Sequence, residues 1–284
     1  MSDLDLIKEL REKTGAGFLD CKNTLKENNN NIEESIDSLR KKGLAKASKK
    51  SSREAKEGAV GFFSNDKISI ILKINSETDF SAKSDTFLDF LDFIGKIALK
   101  QNDKSLNLEN FLNIKYNDKS VSDLLKEMIA KIGENLIIND LKIFSNKELN
   151  VNFYIHNPYR KNIGKIVSAV FFYSDTKNEE ITTFSKNICM HIAASKPEAM
   201  DIDQLSSTVI ENEKKIQQEM IQDSGKPSNV MEKILKGKMK KYYSEVTLLN
   251  QNFVIDPDKT IKEAINDFNS LNKFDLKSYA LISL

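Results

Sequence analysis

One order of signals, strand, strand, helix, helix, strand, occurs twice along this sequence, and it confines the chain to an α+β fold with two similar halves. In the first half Ile68, Ile70, Leu72 and Ile74 alternate strictly, which marks a half-buried strand. The apolar run Ala59-Val60-Gly61-Phe62-Phe63 precedes it, and Asn65-Asp66 suits a two-residue turn between the two. Phe87, Leu88, Leu91, Ile94, Ile97 and Ala98 then follow helical spacing, as do Val121, Leu124, Leu125, Met128, Ile129 and Ile132. A strand from Ile137 to Phe144 closes the half. In the second half Val151, Phe153 and Ile155 alternate, and Ile166 to Tyr173 is a nearly continuous apolar strand. A helix over roughly Glu179 to Ala194, another with Ile261, Ala264, Ile265 and Phe268, and a strand from Leu276 to Leu284 complete the set. No residue-level identity relates the halves, so the repeat is architectural.

Two further elements sit outside the repeat. Leu4, Ile7 and Leu10 give a short helix, stopped by Thr14-Gly15-Ala16-Gly17. Phe18, Leu19, Cys21 and Leu25 mark a second, and Ile32, Ile36 and Leu39 a third that Gly43 is expected to cap. Inside the second half, Leu205, Val209, Ile216 and Met220 recur at helical spacing, Asp223-Ser224-Gly225-Lys226-Pro227 breaks the helix, and Val230, Met231, Ile234, Leu235 and Tyr242 resume it. That is an antiparallel helical hairpin, which must bury its apolar stripe against a second copy of the chain or against its own domain. The expected organisation is a three-helix module with a basic linker over 1–54, a subdomain over 55–146 and a second over 147–284, with the hairpin inserted at about 196–237.

Composition narrows function mainly by exclusion. A formal net charge of +1 lacks the basic excess that phosphate neutralisation demands of nucleic-acid-binding proteins. No apolar run reaches the roughly 18 residues of a spanning helix, and Met1-Ser2-Asp3-Leu4-Asp5 puts acid where a signal peptide puts base. A cytoplasmic protein without membrane association is expected. The basic stretch from Arg40 to Lys56 reads either as an RNA-binding arm or as a solvated linker helix; the absence of an interleaved aromatic favours the linker. Cys21 and Cys189 form no CxxC and read as packed thiols, and only His156 and His191 could join them on a metal. Gly225-Lys226 is followed by Pro227, so no phosphate-binding P-loop exists there. No catalytic site, cofactor or metal centre of its own is expected. An acid–base pair of Asp79 and His156 is the only enzymatic alternative, and it requires both residues in one closed pocket.

Glu77-Thr78-Asp79-Phe80-Ser81 stands apart, between a good strand and a good helix. Asp79 or Ser81 could cap that helix, with Phe80 as a hydrophobic staple. The staple fits poorly, because with Ser81 as cap its partner position is Asp85. A rigidly mounted aromatic beside a carboxylate is instead suited to probing another protein's surface.

At these residues the chain resembles the bacterial translation elongation factor Ts family, along nearly its whole length. The matching blocks are Lys8-Glu9-Leu10-Arg11-Glu12-Lys13-Thr14-Gly15-Ala16-Gly17 with Asp20-Cys21-Lys22, Glu77-Thr78-Asp79-Phe80, Ala130-Lys131-Ile132-Gly133-Glu134-Asn135, Met190-His191-Ile192-Ala193-Ala194-Ser195-Lys196-Pro197, Ser224-Gly225-Lys226-Pro227 and Met239-Lys240-Lys241-Tyr242. The resemblance implies a UBA-like N-terminal module that grips a GTPase, elongation factor Tu, and a coiled-coil hairpin like the family's dimerisation element. It implies guanine-nucleotide exchange, with Thr78, Asp79, Phe80 and Ser81 disturbing the partner's Mg²⁺ site and Ile132, Gly133 and His156 as further contacts. Where the family usually has Val after Thr-Asp-Phe, this chain has Ser81, which shortens the apolar extent of the wedge. Many relatives carry a further helix beyond the last strand; with the sequence ending at Leu284, docking is expected to lean on the other contacts.

Overall fold

The computed structural model describes residues 2–176, 178–222 and 227–284. The Asp223-Ser224-Gly225-Lys226 part of the expected helix break lies outside the described residues. The chain divides into two compact units: Met1–Ser145 with Asn157–Lys165 and Ile282–Leu284, and Asn146–His156 with Ile166–Leu281.

The first unit opens with three helices, α1 (Asp3–Thr14), α2 (Phe18–Glu27) and α3 (Ile32–Lys50). Ser2 and Asp5 form a capping box on α1, and Gly15 ends it in the left-handed region. Ile7, Leu10, Cys21 and Leu25 bury a small core between them. Gly43 does not cap α3. The helix runs through it, and a Cβ there would lie 2.9 Å from the Ala130 Cβ. Gly43 thus marks a close approach of α3 to a later helix, α7 (Val121–Ile132), rather than a stop signal.

β1 (Glu57–Ser64) and β2 (Ile68–Ser76) form an antiparallel hairpin. Its turn is centred on Asp66 and Lys67, one residue later than expected. The Asn65 N–H donates to the Ile68 carbonyl, and the Asn65 side chain accepts from Lys67 and Ile68. After β2 come α4 (Asp79–Lys83), α5 (Asp85–Gln101), α6 (Leu108–Asn113), the short β3 (Lys115–Tyr116) and β4 (Lys119–Ser120), then α7 and β5 (Leu136–Ser145). β5 pairs antiparallel with β2, and the first residues of β7 (Ile163–Tyr173) pair with β1. The apolar face of α5, with Phe87, Leu91, Ile94 and Ala98, closes over Ile70, Leu72 and Ile74 of β2 in one core.

The second unit contains most of β6 (Asn150–Arg160) and β7, then α8 (Glu179–Ser195). The hairpin helices α9 (Ser207–Gln222) and α10 (Ser228–Val246) follow, then β8 (Asn252–Phe253), β9 (Asp256–Thr260), α11 (Ile261–Phe268) and β10 (Asp275–Ser283). The second hairpin helix includes Tyr242, which the apolar spacing also places on it; Met239 is buried and Lys238 donates to Gln217 on the first helix. Phenylalanines supply much of this unit's core: Phe172 stacks on Phe274 at 4.6 Å between ring centroids, and Phe184 on Phe268 at 4.1 Å. The architecture is α+β: a three-helix module followed by a sheet-containing core into which the helical hairpin is inserted. Among the described residues no helix is long and apolar enough to cross a membrane.

Candidate functional site

β2 is buried to its end, and the chain must leave the sheet there without orphaning its polar groups. The Asn75 side chain donates to the Glu57 carbonyl at 2.9 Å, and the Ser76 hydroxyl to the Thr78 carbonyl at 3.0 Å. Thr78 stays extended, and its hydroxyl oxygen accepts from the Ser81 N–H at 3.2 Å. Thr78 therefore caps the one-turn helix α4, and Ser84 caps α5 by accepting from Phe87. Neither Asp79 nor Ser81 is the cap. Ser84 ends α4 and begins α5, so one residue fixes the corner between the two helices.

This corner determines what the turn presents. Phe80 is 85% exposed, and Ser81 and Ala82 face inward and are buried. Asp79 is half-buried and pairs with Lys83 at 2.7 Å. The hydrogen bond from Lys83 holds the Asp79 carboxyl below the usual carboxylate range, and Asp79 in turn raises Lys83. The Ser81 hydroxyl is buried without a hydrogen-bond partner. Ser81 therefore lies on the underside of the turn, away from the Phe80 face.

The C-terminal end of α7 lies against the same turn. Gly133 ends α7 with φ 88° and is exposed, and Ile132 before it is half-buried. Glu134 accepts from the Thr78 N–H at 3.0 Å and from the Thr78 hydroxyl at 2.8 Å. Glu77 accepts from the Asn135 N–H at 2.6 Å, and the Asn135 side chain donates to the Arg53 carbonyl at 2.7 Å. The structure thus brings Ile132 and Gly133 together with Thr78, Asp79, Phe80 and Ser81. Sequence reasoning missed Glu134 and Lys83. Glu134 stands in one of the blocks that carry the family resemblance, and Lys83 follows Asp79 by one helical turn; those were the available signals.

His156 belongs to the second unit, where it is exposed and its Nδ1 lies 3.2 Å from the Tyr154 hydroxyl. A closed acid–base pocket needs enclosed groups, and His156 is exposed. Several cations of the basic stretch are engaged within the protein. Arg40 pairs with Glu127, Lys42 with Glu27, Arg53 with Glu77 and Lys56 with Glu54, and Lys50 donates to the Gly133 carbonyl. Arg40 and Lys50 tie α3 to α7 and to the residue that ends it, and Arg53 reaches Glu77 at the turn.

His191 is fully buried in α8. Its Nδ1 accepts from the Val254 N–H at 3.2 Å, which leaves Nε2 to donate to the Gln251 side chain at 2.9 Å. Burial lowers its pKa from the ordinary 6.5. The unfolded chain then binds a proton that the folded chain refuses, so this stabilisation is present above about 6.5 and is lost as pH falls below it. The thermal unfolding midpoint is expected to drop between pH 7.5 and 5.5. His191→Gln is expected to be less stable at pH 7.5 and to show a shallower drop, and an unchanged slope in that variant would assign the drop to other groups.

Fold and turn together define a protein that mounts an exposed aromatic on a short helix capped at both ends. The family model described as Elongation factor TS matches residues 77–283, starting at the first residue of the turn. Elongation factor Ts of Allorhizobium ampelinum is 40% identical over 262 residues, covering 92% of this chain and 85% of that protein. The Rhizobium etli (strain CFN 42) protein of the same name is 41% identical over 264 residues, with the same 92% and 85% coverage. That of Rhizobium meliloti is 39% identical over 262 residues, again covering 92% and 85%. The chain belongs to the elongation factor Ts family. Membership implies a nucleotide-exchange role in the elongation stage of protein biosynthesis.

Proposed function

We propose that the chain binds the GTPase elongation factor Tu, disturbs its Mg²⁺ site and thereby promotes GDP release. The observation that carries this reading is Phe80, 85% exposed on a one-turn helix whose two ends are both capped. An aromatic of that size left in water on a rigid mount is suited to burial in a partner. In the complex Phe80 wedges between partner side chains, and Asp79 engages backbone groups near the metal. Freeing Asp79 from Lys83 is inexpensive, because exposed ion pairs contribute only about 0–1 kcal/mol. Ile132 and Gly133 extend the same surface, and His156 supplies a contact from the second unit.

No catalytic group is required. Mg²⁺ offsets the charge of the nucleotide phosphates, so displacing it loosens the nucleotide. The coupling is reciprocal: bound nucleotide must weaken the chain's own grip by the same factor. A thousandfold loosening needs about 4 kcal/mol. Burial of one Phe yields roughly 1.5–3 kcal/mol, so the turn triggers exchange and other surfaces supply the rest. Exposed Leu4, Phe18 and Leu19 on the three-helix module suit that gripping role. Exposed Ile216 and Met220 on the hairpin suit self-association through that element. The direct test is release of labelled GDP from elongation factor Tu at substoichiometric amounts of the chain; multiple turnovers per chain are expected, and an unchanged release rate would overturn the proposal.

A further inference from the structure

Thr78 is among the residues expected to touch the partner, yet its N–H and its hydroxyl are both used inside the protein. Its N–H donates to Glu134 Oε2, its hydroxyl donates to Glu134 Oε1, and the hydroxyl oxygen accepts from Ser81. Because the oxygen accepts from Ser81, its single hydrogen is free to point at Glu134, and the rotor is fixed. The neighbouring pair repeats the arrangement in reverse, with Glu77 accepting the Asn135 N–H. Each segment thus lends a carboxylate to a backbone amide of the other: Glu134 to Thr78, and Glu77 to Asn135. Hydrogen bonds to a carboxylate are among the stronger and shorter ones, and two in register restrain rotation as well as distance.

A one-turn helix has little stability of its own, since nucleation costs more than so few bonds return. The orientation of α4 must therefore be imposed from outside. On the Phe80 side the imposing groups are the Thr78 cap and the carboxylate that holds it. We infer that Glu134 is a positioning residue: through Thr78 it aims Phe80 and locks the Ile132–Gly133 corner and the Phe80 turn into one rigid surface. Thr78 acts in the same link and is not itself a contact group. This inference rests on the exchange function proposed above.

Two measurements on the full chain test it. Without any partner, hydrogen exchange of the segment 77–83 is expected to lose protection in Glu134→Ala and in Thr78→Val, with β2 and α5 remaining protected. Unchanged protection of that segment in both variants would overturn the clasp whatever the exchange assay shows. Thr78→Val keeps the β-branched shape and serves if Glu134→Ala does not fold. With elongation factor Tu carrying labelled GDP, Glu134→Ala is expected to lower the saturating release rate about tenfold while shifting the half-saturating concentration by no more than about twofold. Combined with Phe80→Ala it is expected to add nothing, since there is no longer an aromatic to aim. A saturating rate equal to wild type, or a loss of the same factor in the Phe80→Ala background, would overturn the positioning role. Failure of the wild-type chain to release GDP would instead overturn the proposed function, and hydrogen exchange would still decide the clasp.

Discussion

Phe80→Ala is expected to lower the GDP release rate by roughly 10- to 150-fold, the equivalent of the roughly 1.5–3 kcal/mol gained when a Phe side chain is buried. Stability should scarcely change. With the side chain 85% exposed, truncation removes almost no intramolecular packing, and exposed substitutions away from special features lie within about 0.5 kcal/mol. Thermal unfolding measured beside the release assay separates the two effects. A large fall in midpoint would make Phe80 part of the core, and an unchanged release rate would remove it as the wedge. Phe80→Leu is expected to recover part of the rate, since it restores apolar volume without the ring.

Gly58→Ala is expected to destabilise the first unit by about 3 kcal/mol. Gly58 has φ 145°, a region in which a side chain is strained, and a Cβ there would lie 2.2 Å from the Ile74 carbonyl oxygen and 2.8 Å from the Asn75 Cα. Backbone strain and overpacking each cost about 1–3 kcal/mol. The obstructing atoms belong to backbone in the paired strand, where Gly58 faces Asn75, and they cannot rotate away. Asn75 is the residue from which the chain turns toward Thr78, so displacement there should also disturb the turn. Chemical denaturation reports the first effect, and hydrogen exchange of the segment 77–83 the second. A variant as stable as wild type would mean that β1 shifts to admit the methyl group.

The repeat of strand and helix order was legible because it rests on periodicity within single elements. The alternation Ile68 to Ile74 and the stripe Phe87 to Ala98 both run long enough to show their period. Gly43 misled because a glycine near a helix end reads as a cap, whereas its real constraint is Ala130 on another helix. The turn is a case between these. Phe80 was legible as an aromatic without an intramolecular home. The helix beneath it was not, because one turn is too short for a period to appear. The clasp was also hidden, since Glu77 and Glu134 meet amides contributed by a distant part of the chain. His191 lies buried in α8, and its two buried hydrogen bonds supply the reason that position needs an imidazole.

The role assigned to Mg²⁺ is open to one direct measurement: release of labelled GDP from elongation factor Tu, with and without a saturating amount of the chain, in excess Mg²⁺ and again after chelation. In Mg²⁺ the chain should accelerate release strongly. After chelation the intrinsic rate should rise and the chain's further acceleration should shrink, because the metal it displaces is already gone. No acceleration in Mg²⁺, or the same fold acceleration under both conditions, would contradict exchange through the Mg²⁺ site.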